Sequence, residues 1–230
     1  MDQYAYIGTN LKAVYARVIS AALTAGRNPQ DVRIIAVSKT FPGPALQAAF
    51  DYGQRAFGES YLQEALEKIP TLRGEPEWHY IGPLQSNKTR AVAASFDWVH
   101  SVDRLKIAER LSNQRPPDLA PLQICLQVNV SGEATKSGVA PADALALARE
   151  LATLPRLRLR GLMAIPEAVA DLAIQRAQFA RVRQLCEEMG REGIALDTLS
   201  MGMSDDLEAA IMEGATLVRV GRAIFGEREP

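Results

Sequence analysis

The sequence predicts an α/β fold, a closed (β/α)8 barrel preceded by one extra helix. Three observations indicate this class: eight short apolar runs, helical patterns between them, and a length of 230 residues. Alternating strands and helices imply a parallel sheet, and eight such units at this length favour a closed barrel over an open doubly wound sheet. No repeat, low-complexity tract or Ser/Gly-rich linker divides the chain, so we expect a single domain over residues 1–230.

The elements follow from hydrophobic periodicity. Residues 4–25 place apolar side chains on one helical stripe before Gly26 and Pro29 end the helix. The predicted strands are 33–38, 55–57, 77–81, 96–100, 122–130, 157–165, 196–200 and 216–220. The helical patterns between them are at about 43–53, 59–69, 86–95, 103–114, 141–153, 171–190 and 204–213.

Composition argues against several classes of function. The 26 basic and 27 acidic residues are mixed along the chain, so no long-range field would attract nucleic acid or an anionic membrane. The first ten residues lack the features of a secretory signal, and no run approaches the roughly 20 apolar residues of a membrane span. Cys125 and Cys186 fit neither a disulfide framework nor a zinc pattern. We expect a cytoplasmic protein without a metal site and without nucleic-acid or membrane partners.

The run IIAVSKTFP at 34–42 places a lysine at the end of the first predicted strand. In barrels of this class, chemistry occurs at the C-terminal ends of the strands. Partial burial of Lys39 would lower the pKa of its amine, and the neutral amine can condense with an aldehyde. A solvated lysine at the rim is the alternative, and on this segment alone it is the more frequent case.

The run LSMGMSDDLEAA at 199–210 predicts a strand, a small-residue turn and a helix with Ser204 at its N-cap. Glycine allows the backbone to approach a ligand closely, and free amides suit an anion. Asp205 and Asp206 at the start of this helix already compensate the partial positive charge of its N-terminus. The turn formed by Ser200, Met201 and Gly202 is therefore the better candidate for a phosphate, although an ordinary strand-turn-helix explains the segment as well.

The run VRVGRAIFG at 218–226 supplies a second candidate half-site. Barrels often bind phosphate with the loops after strands seven and eight, and here the amides of Gly221 and Arg222 lie at that place. Strand alternation predicts that Arg219 points into the barrel mouth. A structural ion pair with a barrel carboxylate explains a buried arginine equally well.

Two histidines lie at or near predicted strand ends. His79, in WHYIGPLQSNKTR, could cover a ligand ring or donate a hydrogen bond, although a core histidine satisfied by a neighbour is more common. The same holds for His100. No second His or Cys stands at metal-ligand spacing from either residue, which argues against a metal site.

Together these segments resemble the pyridoxal phosphate homeostasis protein family, small proteins that bind pyridoxal 5'-phosphate (PLP) in a TIM barrel of the alanine racemase N-terminal type. The resemblance covers nearly the whole chain, with the matching runs in family order and at family spacing. They are AVSKT, FGES, WHYIGPLQSNKTR, HSVDR, LQVNVSGEATKSGV, RGLMAIPE, LSMGMSDDLEAAI and VRVGRAIFG.

The resemblance implies that Lys39 holds PLP as an internal aldimine. It also implies that Ser200, with the region of Gly221 and Arg222, binds the phosphate. Arg219 is then expected to face the pyridine nitrogen. The remaining expected cofactor contacts are Met201, Gly202, Ser60, His79 and Met163.

Two positions depart from the family pattern. The family commonly has FGEN where this sequence has FGES, so Ser60 stands in place of an asparagine. The shorter serine side chain is expected to alter contacts beside the ring without removing the aldimine. Arg222 stands where the family often has threonine. The Arg222 backbone amide can still donate a hydrogen bond to the phosphate, but the contact from a threonine hydroxyl would be lost.

The resemblance implies a monomeric carrier that buffers PLP, passes it to apoenzymes through transient contacts, and influences amino-acid and keto-acid pools. A PLP-dependent racemase is the alternative. Arg219 would oppose the pyridine protonation that most PLP catalysis uses, although related racemases tolerate the same arrangement when strong bases flank the ring. A racemase also needs a second acid/base group, and a chain ending at Pro230 is expected to leave no further domain to supply it. A Schiff-base aldolase without PLP is a third hypothesis, which the absence of lysine from predicted strand six disfavours.

Overall fold

The computed structural model describes residues 3–133 and 136–227. Eight parallel strands close into a barrel in chain order, with β8 paired to β1, so the predicted fold class is confirmed. The strands are β1 (Arg33–Val37), β2 (Ala56–Glu59), β3 (Glu77–Tyr80), β4 (Trp98–Val102), β5 (Leu122–Gln127), β6 (Leu157–Met163), β7 (Thr198–Ser200) and β8 (Leu217–Val220).

The helices surround the barrel. They are α1 (Ala5–Thr24), α2 (Gly43–Asp51), α3 (Leu62–Lys68), α4 (Thr89–Ser95), α5 (Leu105–Gln114), α6 (Pro141–Ala152), α7 (Leu172–Arg191), α8 (Leu207–Met212) and α9 (Arg222–Phe225). Short 3-10 turns lie at Pro29–Asp31 and Ile69–Thr71. Among the described residues, no helix combines the length and apolar character needed to span a bilayer.

Most element ends differ from the predicted bounds by one to three residues. The fourth strand begins at Trp98 rather than at residue 96, and the Asp97 carboxylate before it accepts a hydrogen bond of 2.8 Å from the Trp78 amide. Helices α3, α4 and α8 each begin three residues later than predicted. The residues before these helices belong to the loops at the barrel mouth, which is where a binding site is expected.

Two apolar regions stabilise the barrel. A large cluster fills the space between the sheet and the surrounding helices, and a smaller one fills part of the barrel interior. The interior cluster consists of Ile35, Ala56, Trp98, Cys125, Met163 and Leu217. Buried polar side chains occupy other interior positions, among them His79, His100, Ser200 and Arg219.

Helix α1 packs against α2, α8 and α9 and holds the end of the chain against the barrel. The Tyr6 hydroxyl donates to the Phe225 carbonyl oxygen at 3.0 Å, and Asn10 donates to the Ile224 carbonyl oxygen at 2.9 Å. Arg17 pairs with Glu208 of α8 at 2.7 Å. The extra first helix therefore supports the two C-terminal segments that form one wall of the barrel mouth.

We expect Gly161→Ala to lower the free energy of unfolding by roughly 3 kcal/mol or more. Gly161 in β6 pairs with Thr198 of β7, and an added methyl group would overlap the Thr198 carbonyl oxygen. Gly190→Ala is the control, because nothing lies within 4 Å of a β-carbon added there and alanine gains up to about 1 kcal/mol over glycine within a helix. Urea denaturation measures both variants, and wild-type stability of Gly161→Ala would contradict the prediction.

Candidate functional site

A cavity of about 420 Å³ opens at the C-terminal mouth of the barrel. Loops that follow six of the eight strands contribute to its walls. Its lining includes the cationic side chains Lys39, Arg219 and Arg222 and the carboxylates Asp205 and Glu227. The positive groups make the cavity suited to a small anionic ligand, and the location agrees with the general rule for barrels of this class.

Lys39 follows β1 and lies half-buried on the cavity wall. The next residue, Thr40, has a φ of 72°, a conformation that residues other than glycine rarely adopt. The Thr40 amide donates to Oε1 of Glu64 in α3 at 2.6 Å. Because such strain persists only where the surroundings over-determine it, this contact fixes the loop that carries the Lys39 amine.

A buried charged cluster lies beside the Lys39 loop. Lys68 Nζ donates to the Ser38 carbonyl oxygen at 2.8 Å and to Glu59 Oε1 at 2.9 Å, and it also contacts Glu64. Ser38 Oγ donates to the same Glu59 oxygen at 2.7 Å. Burial raises the pKa of Glu59, although the Lys68 charge and both hydrogen bonds act in the opposite direction. The cluster joins β1, β2 and α3 next to the lysine loop.

Arg219 lies inside the barrel mouth with 4% of its surface exposed, as strand alternation predicts. One terminal nitrogen donates to the Ser200 carbonyl oxygen at 2.6 Å and to Ser200 Oγ at 2.7 Å. The other donates to the Ala164 carbonyl oxygen at 3.0 Å. Burial lowers the pKa of Arg219 to about 10, so the side chain remains a cation at neutral pH.

The turn between β8 and α9 brings backbone close to the cavity. A side chain added at Gly221 would meet the Val37 carbonyl oxygen at 3.2 Å, tighter than most such contacts. Arg222, the first residue of α9, is exposed and forms an ion pair with Asp205 of the β7–α8 loop. This ion pair joins two loops across the rim of the cavity.

The N-cap predicted for α8 is wrong. The helix begins at Leu207 with Asp206 at its N-cap, and Ser204 lies in the preceding turn. The Asp206 carboxylate accepts a hydrogen bond of 2.5 Å from the Met203 amide, which closes that turn. Ser204 and Asp205 therefore lie on the cavity wall.

The structure divides the ten predicted site residues into two groups. Five line the cavity: Lys39, Ser60, Arg219, Gly221 and Arg222. The other five are buried in the barrel and its mouth: His79, Met163, Ser200, Met201 and Gly202. Direct contact of the buried five with a ligand stays a prediction.

Three of these buried residues, Ser200, Met201 and Gly202, are held by contacts within the protein. Ser200 Oγ is engaged by Arg219 and by His100, and the Met201 amide donates to the Leu217 carbonyl oxygen at 3.1 Å. Gly202 has a φ of 91°, and an added β-carbon would lie 2.5 Å from that of Ala210. These residues shape the floor of the site through backbone conformation and packing.

Several cavity-lining residues carry no signal in the sequence. Phe41, Ile81, Ile165 and Met203 provide apolar walls. Periodicity does not distinguish these single apolar residues, and the matching runs that contain Ile81, Ile165 and Met203 assign them no role. Their position is the one clue that could have identified them, because Ile81 and Ile165 end predicted strands and Phe41 and Met203 follow shortly after predicted strands.

Other parts of the described chain offer weaker candidates. Two hollows of about 600 Å³ each lie outside the barrel beside α2, and none of the ten predicted site residues lines them. Within residues 3–133 and 136–227, no group of three His, Cys, Asp or Glu side chains could hold a metal ion. The barrel mouth therefore remains the candidate site.

Comparison with known proteins agrees with this architecture. The sequence profile described as alanine racemase, N-terminal domain, matches residues 10–229. The pyridoxal phosphate homeostasis protein of Pseudomonas aeruginosa is 60% identical, with 97% of this chain and 96% of the relative covered. This chain belongs to the pyridoxal phosphate homeostasis protein family. The Escherichia coli K12 member is 48% identical, with 97% of each chain covered.

Solved structures give the same assignment for the fold. PipY of Synechococcus elongatus, solved with PLP bound, matches with a TM-score of 0.85 and 37% identity, covering 96% of this chain and all of the PipY chain. An alanine racemase of Clostridium difficile matches with a TM-score of 0.75 and 14% identity over 58% of its own chain. At that identity the racemase shares the fold alone.

We expect Lys68→Met to lower the free energy of unfolding by about 3–5 kcal/mol, because it leaves the buried Glu59 carboxylate without its cation. Arg149→Met is the control. It breaks an ion pair with Glu192 in which both side chains are more than half exposed, and such pairs contribute little. Urea denaturation compares the two variants, and an equal effect in both would contradict a structural role for the buried cluster.

Proposed function

We propose that this protein binds PLP in the barrel-mouth cavity, covalently through the Lys39 amine, and holds it for use by other proteins without amino-acid chemistry of its own. One observation carries the proposal: Lys39, Arg219 and the Gly221 turn line a single cavity. The names of the relatives and the PLP bound to PipY support the choice of ligand.

The residues present fit PLP. A phosphorylated pyridine aldehyde needs an amine for the aldehyde, a polar group at the ring nitrogen and donors for the phosphate. Lys39 supplies the amine and Arg219 a buried cation. Gly221 has no side chain, and this leaves a phosphate access to the backbone amides of the β8–α9 turn. Apolar side chains such as Ile81 and Ile165 can enclose the ring.

Arg219 limits the chemistry that the site can perform. When bound, PLP supplies an electron-accepting ring whose strength depends on protonation of its nitrogen. Arg219 is a cation at neutral pH and can only donate hydrogen bonds. A donor at the ring nitrogen keeps that nitrogen unprotonated, so the site favours holding the cofactor over withdrawing electrons from an amino acid.

We further propose that residues 1–230 act as one PLP-binding domain, as a monomer in the cytoplasm, and that PLP passes to apoenzymes through transient contacts. Two widely spaced cysteines cannot form a disulfide framework, which favours a reducing compartment. The nearly equal numbers of acidic and basic residues are consistent with brief, weakly steered encounters.

We expect the purified wild-type protein to be yellow, with a visible absorption band that Lys39→Ala abolishes. Borohydride should fix the pyridoxyl group on the peptide that contains Lys39, which mass spectrometry detects. Lys106→Ala is the matched control, because Lys106 is an exposed lysine on α5, and it should keep the full band. A colourless wild type from vitamin B6-replete cells, with no adduct after borohydride, would overturn the proposed function.

Incubation of the PLP-loaded protein with L-alanine or D-alanine tests the absence of amino-acid chemistry. We expect no racemisation above that of Lys39→Ala, because Arg219 keeps the ring a weak electron acceptor. Chiral chromatography over several hours measures the enantiomer ratio. Sustained turnover that requires Lys39 would favour a racemase over a carrier.

A further inference from the structure

A continuous chain of polar side chains crosses the barrel interior. Arg219 donates to Ser200 Oγ at 2.7 Å, and this oxygen lies 2.8 Å from Nδ1 of His100. Nε2 of His100 lies 2.9 Å from Nδ1 of His79, and Nε2 of His79 lies 2.6 Å from Oε1 of Glu77. The chain begins on β8 at the cavity, passes through β7 and β4, and ends at the first residue of β3, at the opposite end of the barrel.

When both imidazoles are neutral, the two ends of this series of hydrogen bonds determine its direction. Arg219 can only donate, and the Glu77 carboxylate can only accept. Burial opposes ionisation of Glu77, but the hydrogen bonds from His79 and Arg33 and the charge of Arg33 lower the pKa of that carboxyl below its ordinary value. His79 therefore donates from Nε2, and its Nδ1 accepts from Nε2 of His100. Nδ1 of His100 then accepts the Ser200 hydroxyl proton.

This arrangement satisfies every member of the chain with both imidazoles neutral. Each ring has one protonated nitrogen that donates and one bare nitrogen that accepts. Burial lowers the pKa of His79 and, more strongly, that of His100, which favours the neutral rings. Protonation of either ring would reverse at least one bond and remove the acceptor of the Ser200 proton.

We propose that Glu77, His79 and His100 are positioning residues for Arg219. They hold the Ser200 hydroxyl proton away from the guanidinium, so that Ser200 Oγ accepts from Arg219 and fixes the direction in which the guanidinium faces the cavity. The inference rests on the proposed function, since the guanidinium is then aimed at the PLP ring. It assigns a role to residues that do not line the cavity.

The far end of the chain lies near the protein surface. Glu77 also accepts a hydrogen bond of 2.7 Å from Arg33 at the start of β1, and both side chains are partly exposed. A neighbouring part of the interior is filled by apolar side chains. Since fully satisfied polar networks specify geometry where apolar packing alone would not, the chain is suited to hold one side chain in one orientation.

The first measurement is the tautomeric state of the two histidines. The protein sequence has two histidines, His79 and His100, so the 15N–1H spectrum of untagged, histidine-labelled protein has two imidazoles to assign. At pH 7 we expect both to be neutral and protonated at Nε2, with or without PLP. Protonation at Nδ1 in either ring, or an imidazolium, would overturn the inference whether or not PLP binds.

The second measurement compares His100→Gln with His100→Leu. Glutamine can accept from Ser200 through Oε1 and donate to His79 through Nε2, whereas leucine breaks both contacts. We expect leucine to raise the Kd for PLP roughly threefold to tenfold and to shift the visible band, with glutamine close to wild type. Equal Kd values and equal bands in both variants would overturn the positioning role.

A second pair of variants covers the case in which His100→Leu does not fold. Glu77→Ala and Arg33→Ala both break the surface ion pair, but only Glu77→Ala removes the acceptor at the end of the chain. We expect only Glu77→Ala to reduce Nε2 protonation of His79 and to weaken PLP binding. Identical behaviour of the two variants would contradict the inference. A wild type that binds no PLP would instead overturn the proposed function.

Discussion

A guanidinium enclosed by a barrel has to be hydrogen-bonded, and this condition determines much of the site. Arg219 uses the Ser200 and Ala164 carbonyl oxygens at the ends of β7 and β6. The Ser200 carbonyl oxygen also accepts a hydrogen bond of 3.2 Å from the Ala164 amide, so the two acceptors are joined to each other. The left-handed conformation of Gly202 belongs to the same arrangement, since its carbonyl oxygen accepts from the Arg219 amide at 2.9 Å. The ends of β6, β7 and β8 therefore form one cooperative unit around a buried charge.

The adjoining wall, which follows β1 and β2, is fixed by a different kind of contact. Thr40 is held in an uncommon backbone conformation by Glu64, and the same α3 helix supplies Lys68 to the buried Glu59. Rigid placement of a nucleophilic amine reduces the conformational entropy lost when a covalent bond forms. The two walls thus keep an amine and a guanidinium on a single cavity, although they use separate networks.

Sequence reasoning recovered the strands because the alternation of apolar residues is a property of each segment by itself. Lys39 and Arg219 could be located in the same way, from strand ends and strand parity. The prediction of Ser204 as the N-cap of α8 was wrong, because the Asp206 side chain accepts a hydrogen bond from the Met203 amide and the helix begins after it. The contact between His79 and His100 depends on register, since His79 pairs with Trp98 and meets His100 diagonally. No local pattern reports such a contact.

The ion pair between Arg222 and Asp205 at the rim bears on how firmly an anion is held. A guanidinium that already faces a carboxylate offers an arriving dianion less net attraction than an unpartnered one, and on departure of the dianion the carboxylate restores the lost interaction. The rim therefore carries its own counterion. At the proposed PLP site, this exchange would lower the free-energy difference between the loaded and empty states, which would favour reversible binding over permanent retention.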